Sequence, residues 1–161
     1  MSFDAGEVAS LKEIYSEIGK DIESTISGFR KIWDSNDEAG ALHELLFCIL
    51  TPQSKARVCW GAVEDMACRD ILLKGGYEEV LGAVSYVRFK YKKAGYLIEA
   101  RDRFYIDGRI SLLELIRGFN DVLTARDWFV RNIKGLGYKE ASHFLRNIGL
   151  EMSSRSWTAI Y

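Results

Sequence analysis

Two apolar-periodic segments joined by Gly135-Leu136-Gly137 constrain this 161-residue chain more than any other feature. The first segment ends at Ile133. Glycine takes positive φ without the penalty other residues meet, so Gly-Leu-Gly reads as a tight turn. The second segment sets Ala141, Phe144, Leu145 and Ile148 on one helical face and stops at Gly149. The pattern predicts a helix-hairpin-helix over residues 129–149. Turn amides at the start of a helix make a ready phosphate site, and Lys139 falls in the first turn beside it. A plain tight connection between two helices carries the same Gly-x-Gly signature. The flanking Arg131, Lys134, Lys139 and Arg146 favour phosphate binding.

The charge distribution points the same way. Net charge is only −1, but residues 1–87 hold 8 basic and 15 acidic side chains, while residues 88–146 hold 13 basic and 7 acidic. An acidic stretch followed by a basic one suits a chain that turns one face to a polyanion. Other function classes fall away. The sequence has no apolar run long enough to span a membrane. Its start, Met1-Ser2-Phe3-Asp4, lacks the basic and apolar regions of a signal peptide. Cys48, Cys59 and Cys68 are odd in number and none stands in a Cys-x-x-Cys pair. They read as reduced thiols of a cytoplasmic protein, with no metal, iron–sulfur site or other cofactor expected.

In chain order, residues 7–19 and 21–33 each show helical apolar spacing and predict two helices. Residues 39–51 are apolar nearly all round, which predicts a central buried helix, with His43 as a surface or satisfied polar member. Pro52, the only proline, stops it. Further helices are expected near residues 55–68, 77–84, 86–103, 111–116 and 121–133. No segment alternates as a strand, so the fold class is all-α, about nine or ten helices in one domain of two lobes. Tyr86, Arg88, Phe89, Lys90, Tyr91, Lys92, Lys93 and Tyr96 interleave rings and cations, as a nucleic-acid surface does. An amphipathic helix with a solvated basic face would carry the same residues.

Residues 133–147, Ile-Lys-Gly-Leu-Gly-Tyr-Lys-Glu-Ala-Ser-His-Phe-Leu-Arg-Asn, resemble the hairpin of the archaeal-type 8-oxoguanine DNA glycosylase/AP lyases. Phe47-Cys48-Ile49-Leu50-Thr51, Arg88-Phe89, Lys93-Ala94 and Ala100-Arg101 resemble the same family, within the endonuclease III-like helix-hairpin-helix superfamily. The resemblance spans roughly residues 40–150. It implies a two-lobed helical fold that binds double-stranded DNA and excises 8-oxoguanine, with nicking at the abasic sugar. It makes Lys139 the amine that attacks the deoxyribose and forms a Schiff base. Lys134 and Arg146 nearby, with partial burial, would favour the neutral amine. Lys134, Gly135, Gly137 and Arg146 are the expected phosphate contacts. Phe89 matches the ring that stacks on the flipped base, and equally fits ordinary core.

The tail departs from the family. The family pairs the lysine with an aspartate about eighteen residues on, in an Asp-Arg-His segment, and continues for more helices. Here Trp157 stands at that spacing and no aspartate follows Asp127. Read one base out of phase, Trp-Thr-Ala-Ile codons permit an apolar residue followed by Asp-Arg-His. The expectation is a frameshift near residue 151 that makes residues 150–161 an atypical tail and removes the C-terminal helices. Apolar faces on the first helices would then lose cover, turning an expected monomer toward dimerisation. Two other functions fit the residues: a non-catalytic helix-hairpin-helix DNA-binding module, and a helical interaction domain with no DNA role.

Overall fold

A computed structural model of the protein describes residues 4–150. The chain runs α1 (Ala5–Asp34), α2 (Glu38–Leu50), α3 (Ala56–Cys68), α4 (Ile71–Lys74), α5 (Tyr77–Ala83) and α6 (Lys90–Phe104). After a hairpin of β1 (Tyr105–Ile106) and β2 (Arg109–Ile110) come α7 (Leu112–Arg117), α8 (Val122–Asn132) and α9 (Tyr138–Asn147).

The near-continuous apolar run of α2 becomes the axis of the fold. Ala41, Leu42, Leu45, Leu46, Cys48, Ile49 and Leu50 are all buried, and α1, α3, α6, α7 and α9 pack around them. Asp37 caps its start by accepting the Gly40 N–H at 2.9 Å. Glu38 reaches out from the same end. Its carboxylate accepts the backbone N–H groups of Leu112, Leu113 and Glu114 at 2.8, 2.9 and 3.2 Å, docking the start of α7. On the other side, Phe129 of α8 meets Phe144 of α9 edge-on, ring centroids 5.0 Å apart, and Phe104 of α6 at 6.3 Å.

Three expectations are corrected here. The first two predicted helices are one helix of 30 residues. Lys20-Asp21 contains no breaker, and Gly19 is shielded by the Tyr15 ring, 3.3 Å from where a Cβ would stand. A two-stranded antiparallel hairpin is present, pairing Tyr105 with Ile110 and Ile106 with Arg109. Asp107-Gly108, both at positive φ (52° and 78°), forms its turn, the Asp-Gly signature of a two-residue hairpin loop. Strands of two residues are too short to show alternation. The helix expected from residue 86 begins at Lys90, because Phe89 takes the left-handed conformation.

Along α1, Val8, Leu11, Tyr15, Ile18, Ile22 and Ile26 form an apolar stripe that is exposed among the described residues. Lower on the same helix, α1 touches the end of α9. Gly149 sits at φ +97°. Its N–H donates to the Arg146 carbonyl at 2.9 Å and the Leu150 N–H to the Leu145 carbonyl at 3.1 Å, the Schellman ending of a helix. A Cβ on Gly149 would lie 2.8 Å from both Arg30 Cα and the Phe29 carbonyl oxygen. Gly149→Ala therefore combines left-handed strain with a backbone clash. It is expected to cost about 2 kcal/mol or more, read as a lower urea midpoint at unchanged slope.

Candidate nucleic-acid interface

The hairpin is built as its residues dictate, with one revision. Gly135 lies at φ +87°. A Cβ there would stand 2.9 Å from the Tyr96 ring and 3.2 Å from Ile49 Cγ2. The turn thus rests directly on α6 and α2. Gly137 is different. It is extended (φ −90°, ψ −177°) as the N-cap of α9, and a Cβ would meet only the mobile end of the Glu140 side chain. Glu140 turns back to accept the Gly137 N–H at 3.2 Å. The negative end of a side chain already occupies the positive pole of α9.

The expected site residues fall into two groups. Lys139 lies in the first turn of α9 and is exposed rather than partly buried. Lys134, also exposed, pairs with Glu99 of α6 at 2.9 Å. Arg146 stands two turns along α9, its guanidinium donating to Asn147 Oδ1 at 2.8 and 3.1 Å and lying 5.9 Å from the Phe29 ring centroid. Asn147 in turn donates to the buried Glu44 carboxylate at 2.9 Å. Burial pushes that carboxyl above its ordinary range, and the Asn147 bond and the Arg146 charge oppose the shift. Half-buried His143 lies between Lys139 and Arg146 along the helix. Burial, then the Arg146 and Lys139 charges, hold it below the ordinary histidine range, against Glu140.

Phe89 does not join the core. It is 51% exposed, sits at φ +60°, and lies under the Arg88 guanidinium at 4.9 Å. It lines a pocket of about 240 Å³ together with Ile49, Pro52, Gln53, Lys92, Lys93, Tyr96 and Gly135. Phe89 and Gly135 are thus brought to one cavity, while Lys139 is not among its lining residues. The sequence does not single out Gln53, and Lys93 reads there only as a member of the basic run and of the family resemblance. Lys93 stands in the basic run yet is only 5% exposed. Its Nζ donates to the Leu50 carbonyl at 2.6 Å, the Pro52 carbonyl at 2.7 Å and Ser54 Oγ at 3.1 Å. Burial pushes its ammonium below the ordinary lysine range, opposed by Cys59 and aided by Arg88. Pro52, with no amide of its own, was the available signal for a special turn here.

Arg126 was also unforeseen. This α8 residue is buried, its Nε and Nη1 have no hydrogen-bond partner among the described residues, and its guanidinium lies 5.2 Å from the Tyr138 ring centroid. The tail, including Trp157 and the proposed shifted Asp-Arg-His reading, lies outside the described residues.

Comparison with known proteins places this geometry. Residues 22–154 match the family model described as 8-oxoguanine DNA glycosylase. The chain belongs to the 8-oxoguanine DNA glycosylase family. It is 40% identical over 139 residues to the 8-oxoguanine DNA glycosylase/AP lyase of Fusobacterium nucleatum, covering 86% of this chain and 64% of that protein. The crystal structure of the 8-oxoguanine DNA glycosylase of Thermotoga maritima superposes with a TM-score of 0.76 at 27% identity, covering 96% of this chain and 73% of that one. The Methanocaldococcus jannaschii 8-oxoguanine glycosylase/lyase, solved with a 15mer DNA containing 8-oxoguanine, gives a TM-score of 0.75 at 27% identity. Coverage there is 92% of this chain and 81% of that one. The chain spans just under two thirds of the length of the first curated relatives it matches, 64% and 63%. The helix-hairpin-helix glycosylase fold is therefore established for the described residues, and no helix among them is long and apolar enough to cross a membrane.

Two outcomes follow for this glycosylase-family chain. Gly135→Ala is expected to cost about 2 kcal/mol or more, from positive φ and the Tyr96 contact, whereas Gly137→Ala costs roughly 0.5 kcal/mol or less; chemical denaturation of the pair checks this. The pH dependence is also fixed in sign. His143 and His43 both sit below the ordinary value of 6.5, His43 through burial offset by Asp37. The unfolded chain therefore takes up protons first as pH falls through that value, and the histidines withdraw stability below it. The urea midpoint should fall from about pH 7.5 to about pH 5.5 and fall less in the His43→Gln/His143→Gln double variant. Glu44, shifted upward, acts in the opposite sense in both proteins.

Proposed function

We propose that this chain is a DNA repair enzyme that excises 8-oxoguanine from double-stranded DNA and cleaves at the abasic sugar through a lysine Schiff base. One observation carries the reading: the hairpin presents an exposed lysine, Lys139, beside its turn, and the same turn walls a pocket with an exposed aromatic ring at its edge. The curated relatives are named 8-oxoguanine DNA glycosylase/AP lyases, and the M. jannaschii neighbour is seen with the lesion-bearing DNA. Lys139 acts as the nucleophile. Its Nζ attacks deoxyribose C1′, the N-glycosidic bond breaks with its electron pair leaving on the base, and the new amine sheds a proton. The C1′–O4′ bond then opens, O4′ taking up a proton, and the ring-opened iminium acidifies the sugar C2′ proton, whose loss expels the 3′ phosphate by β-elimination.

Lys134, Gly135 and Gly137 grip a backbone phosphate at the turn, and Arg146 meets the backbone further along α9. Phe89 stacks on the extrahelical base, which enters the pocket it lines. The exposed Tyr86, Phe89 and Tyr91, interleaved with Arg88, Lys90 and Lys92, extend the contact surface. The chain acts in the cytoplasm at the nucleoid, as two lobes with DNA held across the cleft. It acts as a monomer, and the α1 stripe is the surface through which copies would pair.

Borohydride trapping tests this reading. A duplex with one 8-oxoguanine and a duplex with a preformed abasic site are each offered to the chain and to Lys139→Gln. A covalent adduct is expected on both with the wild type and on neither with the variant, while the variant still binds. Binding without trapping by the wild type would leave a non-catalytic DNA-binding module. Lys134→Gln should weaken binding to all duplexes alike and reduce the salt slope by about one.

A further inference from the structure

The pocket mouth is held in an unfavourable conformation. Gln53 (φ +55°) and Phe89 (φ +60°) both line it, and both lie in the left-handed region that non-glycine residues avoid. Such residues persist only where their surroundings over-determine them. Here the surroundings converge on one side chain. Lys93 lies one turn into α6 from Phe89, whose carbonyl accepts the Lys93 N–H at 3.1 Å. Its ammonium leaves α6 and meets three acceptors, the carbonyl of Leu50 at the end of α2 and, in the α2–α3 connection, the Pro52 carbonyl and the Ser54 hydroxyl oxygen. Those contacts use all three of its N–H donors. The Leu50 carbonyl belongs to the last turn of α2, which has no partner within the helix and draws a cation. Ser54 closes the link from the other side, because its Oγ also accepts the Arg88 N–H at 3.1 Å. Gln53 stands between Pro52 and Ser54, and Phe89 between Arg88 and Lys90, so each strained residue is flanked by a member of this clamp.

We infer that Lys93 is a positioning residue: its buried ammonium locks the α2–α3 connection to the start of α6 and so fixes Gln53 and Phe89 at the mouth of the pocket that receives the extrahelical base. The inference rests on the proposed reading of that pocket. An apolar side chain of similar size would pack as well and would not need dehydrating. What it could not do is hold three acceptors at fixed positions on a neighbouring element. The ammonium is engaged by protein acceptors on all three donors. Its effect falls on recognition of the base.

The test uses the full chain with Lys93→Met, and Ser54→Ala as a second variant that removes the shared acceptor without altering a buried charge. Amide exchange is followed at Thr51, Gln53 and Ser54 and at residues 88–90, with residues 42–49 as internal control. Dissociation constants are measured for three duplexes: one with 8-oxoguanine, the same one unmodified, and one with a tetrahydrofuran abasic analogue. In Lys93→Met, exchange at the two loop segments should rise about tenfold or more while the α2 core stays protected. Preference for the 8-oxoguanine duplex over the unmodified one should fall about tenfold, with a much smaller loss on the abasic analogue. Ser54→Ala should move both readouts in the same direction by about threefold. Equal weakening on all three duplexes would mark a merely structural role and overturn the inference, as would an unchanged preference in both variants. A wild-type chain with no preference for the lesion duplex would instead overturn the proposed function, and the inference with it.

Discussion

Everything near the candidate site depends on how closely the hairpin turn approaches the two helices beneath it. Gly135 has no side chain to spare: the place of its Cβ is 2.9 Å from the Tyr96 ring and 3.2 Å from Ile49. That contact seats the turn on α2 and α6 at once and makes it one wall of the pocket. A bulkier residue would lift the turn, which would open the pocket on one side and shift the start of α9 on the other. Lys139 is carried on that first turn of α9, so the position of the amine and the shape of the pocket are set by the same backbone contact.

Helix α2 is the element against which this contact is made, and polar groups anchor it at both ends and at its middle. Glu38 at its start binds the first amides of α7. Glu44, a turn and a half on, receives Asn147 from α9. The ammonium of Lys93 meets its last carbonyl, that of Leu50, and the Pro52 carbonyl just beyond. Carboxylate near the beginning and cation at the end match the direction of the helix dipole. Apolar burial of α2 is non-directional and would tolerate sliding. These bonds are directional, and they fix α7, α9 and α6 in register along it.

The sequence was legible where the information is local. The hairpin showed itself because a helical period interrupted by two glycines is readable within twenty residues, and α2 because apolarity on every side leaves burial as the stable outcome. Legibility failed where a partner is distant. Lys93 reads as one more cation of a basic run, and its burial depends on acceptors 43, 41 and 39 residues earlier. Glu140 follows Lys139 directly, yet only the fold shows its carboxylate turned back to the Gly137 amide. Phe89 could have been core or surface until its left-handed backbone turned it outward. The family resemblance named its position, and the strained backbone shows how the ring is held there.

The Glu140 cap also bears on how an anion can bind at the turn. The Gly137 amide, which a phosphate would use on the proposed reading, already donates to the Glu140 carboxylate at 3.2 Å. A phosphate arriving there would exchange one anion for another at an amide dipole already directed at an anion. On the proposed reading the exchange would free the Glu140 carboxylate, whose charge already opposes those of Arg146 and Lys139 at His143. On the proposed reading the turn is in this sense organised beforehand for a negative ligand, and that ligand would displace the side chain that organises it.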